Sequence, residues 1–175
     1  MFRIIGKKAL NPTVVRMDIE APLIAKKAKA GQFIILRSDE QAERIPLTIA
    51  DSDQVKGTVT IIFQIVGSAT YKLNQLEVGD EIHDFVGPLG RASEIEGLKR
   101  VCVVGGGVGC AIAYPIAKAL HEQGSEVVSI AGFRNRDLVL LVDEFKAVSD
   151  LKLVSDDGST GRKGLVTDVL REMLD

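Results

Sequence analysis

A run of β-forming residues, Val101-Cys102-Val103-Val104, leads directly into Gly105-Gly106-Gly107-Val108-Gly109 and then into an apolar helical stretch from Cys110 to Leu120. A strand that turns through glycines into a helix offers backbone N–H groups with no side chains in the way. They stand at the positive end of the helix dipole, so the arrangement can cradle a pyrophosphate. Gly105, Gly106, Gly107, Val108 and Gly109 are therefore candidate nucleotide-binding residues. Their spacing departs from the strict G-x-G-x-x-G form, and taken alone they fit a plain tight β–α turn equally well. Pro115 lies past the first turn of this helix and predicts a kinked or late-starting helix that splays more N–H groups toward a ligand.

The two sides of this region differ in rhythm. Upstream, Val15, Met17 and Ile19 alternate with Arg16, Asp18 and Glu20, and Val59, Ile61, Phe63 and Ile65 alternate with Thr58, Thr60 and Gln64. That is the period of half-buried strands. Turn signals at Asn11-Pro12, Ala30-Gly31, Asp51-Ser52-Asp53, Lys56-Gly57 and Val78-Gly79-Asp80 separate about six short strands. The pattern predicts a small antiparallel β-barrel over residues 1–97, interrupted by one short helix, Ala69 to Glu77.

From Lys99 the pattern becomes alternating β and α: strand 100–104, helix 109–123, strand 126–131, a short helix near 143–148, a strand at 151–154 and a last helix from Leu165. Such alternation predicts a parallel sheet flanked by helices over residues 98–175, a partial Rossmann-like α/β domain, with the boundary near Ser93–Leu98. The strand at 151–154 is the last one visible. Either this domain is unusually small or sequence is missing after Asp175, and the edge left unpaired favours the second.

Composition narrows the function classes. With 22 basic and 24 acidic residues interleaved, the chain has no electrostatic footprint for nucleic acid. No apolar run is long enough to span a bilayer, and the N-terminus lacks the features of a signal peptide, so a cytoplasmic protein is expected. The only cysteines, Cys102 and Cys110, suit a reducing compartment and match no iron–sulfur or zinc spacing, so no metal is expected in this chain. Cys102 reads as a small core residue and Cys110 as a close-packing one beside the glycines; alternatively Cys110 reaches toward a bound cofactor. The basic cluster Lys26-Lys27-Ala28-Lys29 reads as a solvated loop.

In Arg44-Ile45-Pro46-Leu47-Thr48-Ile49-Ala50, a strand puts Arg44, Pro46, Thr48 and Ala50 on one face and Ile45, Leu47 and Ile49 on the other. The second face is core. The first carries a fixed cation and, about 13 Å along the strand, a hydroxyl. This ruler suits a flavin nucleotide, with the guanidinium on the diphosphate and Thr48 near the reactive ring nitrogen, although on this segment alone a solvated edge strand is the better reading. Gly67-Ser68-Ala69-Thr70 opens the short helix with free N–H groups and a hydroxyl, a second diphosphate candidate; Ser68 as an ordinary N-cap is compatible with that role.

Arg44 to Ala50, Gly67 to Thr70, Gly87-Pro88-Leu89-Gly90, Gly105 to Pro115 and Asp156-Asp157-Gly158-Ser159 occur in the order seen in the ferredoxin–NADP reductase superfamily. The chain most resembles the ferredoxin:NAD(P) oxidoreductase alpha subunits of the sulfide dehydrogenase-like group and the dihydroorotate dehydrogenase electron-transfer subunits. The resemblance implies a barrel that binds FAD and a second domain that binds NAD(P)H. By carry-over, Pro46, Leu47 and Thr48 border the isoalloxazine, Gly67, Ser68, Ala69 and Thr70 hold the diphosphate, and the glycines at 105, 106, 107 and 109 face the pyridine nucleotide. Three departures stand out. The family's arginine would fall at Ile45, but the base here sits at Arg44, and a one-residue shift reverses the face of a regular strand. The family's ring-stacking aromatic is replaced by Leu47. The four cysteines that bind an iron–sulfur cluster in the family are also missing from these residues.

Arg134 and Arg136 follow the second strand of the α/β half, where no acid stands ready for a ribose. They can hold a 2′-phosphate or be solvated turn residues, which leaves NAD and NADP both open. Asp156 and Asp157 are adjacent and point apart on an extended chain, so a turn ahead of Gly158 is expected rather than an acid/base pair. His83 and His121 have no nucleophile arranged around them and read as structural.

The resemblance thus implies a flavoprotein oxidoreductase module passing electrons between NAD(P)H and a ferredoxin-type iron–sulfur carrier or a larger catalytic partner subunit, with Thr48 as the main tuning contact. An electron-transfer or regulatory subunit that holds FAD with little activity alone is a second reading. A single-nucleotide-binding protein whose barrel serves only protein contacts is a third.

Overall fold

The computed structural model describes residues 2–175. The chain divides into two units, Met1–Ser93 and Glu94–Asp175.

The first unit is one antiparallel sheet of seven strands: β1 (Phe2–Asn11), β2 (Val14–Glu20), β3 (Phe33–Arg37), β4 (Ile45–Asp53), β5 (Thr58–Gln64), β6 (Glu81–Ile82) and β7 (Asp84–Leu89). Their order is β6-β1-β2-β5-β4-β3-β7. The two edge strands are separated in the chain by His83 alone, so the sheet must curl until its edges meet, giving the expected barrel. The seventh strand exceeds the six expected because β6 is only two residues long and carries no alternation.

Alternate residues of these strands fill the interior. Ile4, Met17, Ile19, Ile34, Leu36, Ile61, Phe63, Ile82 and Phe85 are at most 2% exposed, and each such burial stabilises the fold by about 1.5–3 kcal/mol. Helix α1 (Pro22–Ala25), which has no strong sequence signal, seals the core with Ile24 and Ala25. The expected short helix is α2 (Ser68–Gln75), anchored in the core by Leu73. Its cap differs from expectation. Gly67, not Ser68, is the N-cap, and the Thr70 hydroxyl accepts from the Val66 and Gly67 N–H groups at 3.0 and 3.1 Å.

The second unit is a parallel sheet in the order β11-β10-β9-β8, built from β8 (Arg100–Gly106), β9 (Glu126–Phe133), β10 (Asp150–Ser155) and β11 (Arg162–Lys163). Strand β11 corrects the expectation that the strand near 151–154 is the last. It is too short to show periodicity and exists through its pairing with Val154 and Ser155. Helices α3 (Cys110–Glu122) and α4 (Val142–Val148) lie on one face of the sheet. Helix α5 (Val166–Leu174) lies on the other, where Val169 packs with Ile130 and Val154. A 3₁₀ turn over Gly107–Gly109 precedes α3, so the regular helix starts one residue later than expected. Pro115 is accommodated inside α3 with its ring buried, where its missing N–H leaves the Ala111 carbonyl without the usual helical partner. No helix among the described residues is long and apolar enough to cross a membrane.

Candidate functional sites in the two units

In the barrel, β4 pairs with β3 in unbroken register: Thr48 opposite Phe33, Leu47 opposite Ile34, Pro46 opposite Ile35 and Ile45 opposite Leu36. On the other side of β3, Leu89, Val86 and Asp84 of β7 stand opposite Phe33, Ile35 and Arg37. Residues directly opposite in an antiparallel pair point to the same face. One face therefore carries two rows across β4, β3 and β7: Thr48, Phe33 and Leu89; then Pro46, Ile35 and Val86; beyond them Arg37 pairs with Asp84, and Arg44, just ahead of β4, reaches the same carboxylate. The opposite face, with Ile34, Leu36 and Phe85, is the barrel core.

The outer face is an apolar shelf with a charged end. Val86 is 55% exposed; Pro46 is also exposed, and Phe33, Ile35, Leu89 and Thr48 are half-buried. At the charged end one carboxylate oxygen, Asp84 Oδ2, lies 2.8 Å from Arg37 Nη2 and 3.0 Å from Arg44 Nη2. Arg37 also donates through Nη1 to the Glu40 carbonyl at 3.0 Å. Helix α2 stands beside the turn that joins β3 to β4, tied to it by the Lys72–Asp39 pair at 3.8 Å. Backbone donation from Gln41, the Lys72 ammonium and further hydrogen bonds lower the Asp39 pKa.

The expected face pattern of β4 holds from Ile45 to Ile49 and then breaks. Ala50 is buried, not exposed beside Arg44, because the β4–β5 register slips between Ile49 and Asp51. Leu47, carried over as a flavin neighbour, packs instead against the barrel core. The shelf's aromatic ring is that of Phe33, across from Thr48. Phe33, Ile35, Arg37, Asp84 and Val86 are shelf residues missed by sequence reasoning; alternation within 33–37 was their only local signal. At α2, the Thr70 hydroxyl is consumed by its own cap. The Ser68, Ala69 and Thr70 N–H groups have no intrahelical acceptor, and nothing lies within 4 Å of a Cβ built on Gly67.

In the second unit β8, β9 and β10 run in parallel register, with Gly106 beside Gly132 and Gly132 beside Val154. Their ends bring the glycine turn, the 134–138 segment and the 156–161 turn to the carboxyl edge of the sheet, where open α/β sheets bind ligands. The glycines divide their duties. A Cβ on Gly105 would lie 3.1 Å from Cys110 Cα and Sγ and 3.2 Å from Ala113 Cβ, so this glycine lets α3 press against β8. Gly107 has φ +53°, open to glycine at little cost. Around Gly107 and Gly109 nothing lies within 4 Å of an added Cβ, and at Gly106 only the Gly132 carbonyl does, at 3.9 Å. Those positions leave the backbone ahead of α3 uncovered.

Cys110 is fully buried beneath Gly105, and burial pushes its thiol up to about 12, so it does not reach toward a ligand. Cys102 is half-buried against the α5 side of the sheet, and burial raises its pKa too.

Arg134 is exposed beyond β9. Arg136 is exposed too, but its side chain is engaged by the turn after β10. Its Nε and Nη2 donate to the Ser159 carbonyl at 3.0 and 2.6 Å, and its N–H donates to Ser159 Oγ at 2.8 Å. The Asp157 carboxylate in turn accepts from Ser159 Oγ and N at 2.6 and 2.9 Å, which lowers its pKa. The expected turn ahead of Gly158 is thus present, and Arg136 locks it to the segment after β9.

No family model matches the chain. It is 45% identical over 170 residues to a dihydroorotate dehydrogenase B (NAD(+)) electron transfer subunit homolog of Thermotoga maritima, covering 97% of this chain and 60% of that protein. To the electron transfer subunit of dihydroorotate dehydrogenase B from Streptococcus pneumoniae it is 31% identical over 177 residues, covering 98% of this chain and 68% of that one. A solved structure of NADH-dependent reduced ferredoxin–NADP oxidoreductase superposes with a TM-score of 0.93 at 41% identity, over 99% of this chain and 63% of that one. The chain thus spans about three fifths of the length of the Thermotoga relative. At these identities, and with the barrel and parallel sheet in the same order, the chain belongs to the ferredoxin–NADP reductase superfamily, in the family of dihydroorotate dehydrogenase electron transfer subunits.

Proposed function

We propose that the barrel holds FAD, that the α/β unit holds NAD(H) or NADP(H), and that the chain forms part of an oxidoreductase subunit passing electrons to or from an iron–sulfur carrier or a larger catalytic subunit. The observation that carries this reading is the outer shelf of the barrel: a flat apolar surface with a hydroxyl at one end and a guanidinium at the other. A planar, partly apolar ring system with an anionic tail matches its polarity. The relatives named for electron transfer and for ferredoxin–NADP oxidoreductase support the same class of reaction.

The residues present fit both cofactors. On the shelf, Phe33, Ile35, Pro46 and Val86 exclude water from one side of a ring. Thr48, half-buried at the far row, can donate to or accept from a ring-edge nitrogen or oxygen, and would be the residue nearest the reacting atoms. Arg44 and the Ser68, Ala69 and Thr70 N–H groups would hold the diphosphate, with Gly67 leaving the approach open. In the second unit the uncovered backbone of Gly106, Gly107, Val108 and Gly109 would take the nicotinamide dinucleotide's pyrophosphate, with Gly105 setting the strand–helix distance. Arg134 would meet a 2′-phosphate where one is present, while Arg136 holds the neighbouring turn in place. The cofactors supply the hydride and single-electron chemistry once bound, and this chain's part is to bind, orient and shield them.

An anaerobic visible spectrum tests this. The chain incubated with FAD is expected to retain a yellow chromophore that bleaches on addition of NADH or NADPH; a chain that stays colourless refutes the flavin assignment. The relatives named electron transfer subunits favour a second reading, an FAD-holding electron-transfer or regulatory subunit with little turnover alone. Prompt bleaching would exclude it.

A further inference from the structure

The arginine that would meet the flavin diphosphate does not stand alone. Arg37 ends β3, Asp84 begins β7, and the two are direct cross-strand partners. Arg37 is held at both ends of its fork, by the Glu40 carbonyl through Nη1 and by Asp84 through Nη2, and its side chain is only 18% exposed. Its Nε is buried without a hydrogen-bond partner, so Arg37 has little left to offer a ligand. Arg44 is its opposite. Its side chain is 61% exposed and touches Asp84 through Nη2 alone, leaving the Nε and Nη1 edges of the fork uncommitted in this pair. Both guanidiniums share the same carboxylate oxygen.

We propose that Asp84 is a positioning residue for flavin nucleotide binding: anchored by Arg37, it holds Arg44 at the end of the shelf with the remaining donors of its fork presented to a diphosphate. The inference rests on the flavin reading of the barrel. A long exposed arginine otherwise samples many rotamers, and fixing one of them before the ligand arrives removes part of the ordering cost of binding. The second arginine has its own effect. Because Asp84 is also paired with Arg37, sharing Arg44 with an anion leaves no half-buried carboxylate short of a partner. The arrangement also accounts for an arginine placed at 44. Only from the face it shares with Arg37 can its side chain reach Asp84 across β3.

A double-mutant cycle on the full chain tests this, with FAD and riboflavin as probes followed by flavin fluorescence. Riboflavin keeps the ring and lacks every phosphate. Arg44→Ala is expected to weaken FAD about tenfold, and Asp84→Asn about threefold to fivefold. In the Arg44→Ala background Asp84→Asn is expected to have no further effect, and riboflavin to bind all four proteins alike. Asp84→Glu should restore part of the FAD affinity. Tighter FAD binding by Asp84→Asn would show that the carboxylate merely competes for Arg44, and would overturn the proposal. So would an equal loss in the Arg44→Ala background, or a parallel loss for riboflavin, either of which would mark Asp84 as a general stabiliser of the barrel end. Circular dichroism melts of each variant verify that the folded protein is being titrated. Failure of the underlying flavin reading is distinct: the wild-type chain would then bind neither probe, and both conclusions would fall.

Discussion

Replacing Gly109 with alanine separates the stability of the glycine turn from its proposed task. Gly109 has φ −60° and ψ −18°, helical values open to any residue, and no heavy atom lies within 4 Å of where its Cβ would stand. The folded chain accepts the methyl group without strain. The unfolded chain loses conformations, which stabilises the variant by about 0.4–1 kcal/mol. For a chain of this size the gain raises Tm by about 1–4 °C. The same methyl stands at the first turn of α3, where a pyrophosphate must approach the amide N–H groups. Each charge-assisted hydrogen bond lost there costs about 1.5–3 kcal/mol, so the Kd for NADH or NADPH should rise by about tenfold to a hundredfold. Gly105→Ala supplies the contrast. Its methyl meets Cys110 and Ala113 at 3.1–3.2 Å, and overpacking of this kind costs about 1–3 kcal/mol, so this variant should melt lower. Circular dichroism melts and NADH fluorescence titrations on the same preparations read both quantities. A Gly109→Ala chain that melts higher yet binds nucleotide like wild type refutes the cradle, and one that melts lower refutes the open space.

Thr48→Val keeps the side-chain shape, so FAD should stay bound while flavin reduction slows on the order of 10²-fold in stopped flow; an unchanged rate removes Thr48 from the ring edge. Arg136→Ala frees the Ser159 turn from its clamp at a cost of about 0.5–1 kcal/mol. Hydrogen exchange at 159–161 should then quicken about twofold to fivefold while the β9 core stays protected, and unchanged exchange would show that the turn holds itself. Burial raises the Cys110 thiol from 9.0 to about 12. The folded chain keeps a proton that the unfolded chain releases above pH 9, so this contribution is whole below pH 9 and drains away as pH climbs toward 12. Tm should therefore drop more steeply above pH 9 in wild type than in Cys110→Ala, and equal slopes would disprove it.

Much of the barrel and of the α/β alternation is legible in the sequence because both are written as local periods: Val59, Ile61 and Phe63 at two, and the α3 stretch after the glycines at helical spacing. Elements without a period are not. Strands β6 and β11 have two residues each and owe their existence to partners, Phe2 and Arg3 for the one, Val154 and Ser155 for the other. The bulge at Ala50 and the cap at Gly67 fail for a related reason. Each depends on a specific hydrogen-bonding partner, β5 in one case and the Thr70 hydroxyl in the other, and residue type alone favoured Ser68 over glycine as a cap. Arg136 reads as solvent-facing until the turn after β10 is brought beside it.

The shelf shows where local reading ends and pairing begins. Arg44, Pro46 and Thr48 could be assigned to one face from the pleat alone, since residues two apart on a strand share a side. That pleat also decides how the arginine can work. With no bulge between Ile45 and Thr48 in the β3–β4 register, an arginine at 45 would point with Leu47 toward the barrel core, whereas Arg44 reaches Asp84 at the end of the Thr48 face. Its displacement from the family's usual place leaves the cation beside Asp84 at the end of the shelf. The other components of the shelf arrive from two other strands, β3 and β7. Phe33 supplies the aromatic surface that Leu47 cannot, and Asp84 supplies the counter-charge that lets two arginines stand side by side. A face assembled across three strands can therefore keep its chemistry while individual residues of a linear motif shift or change.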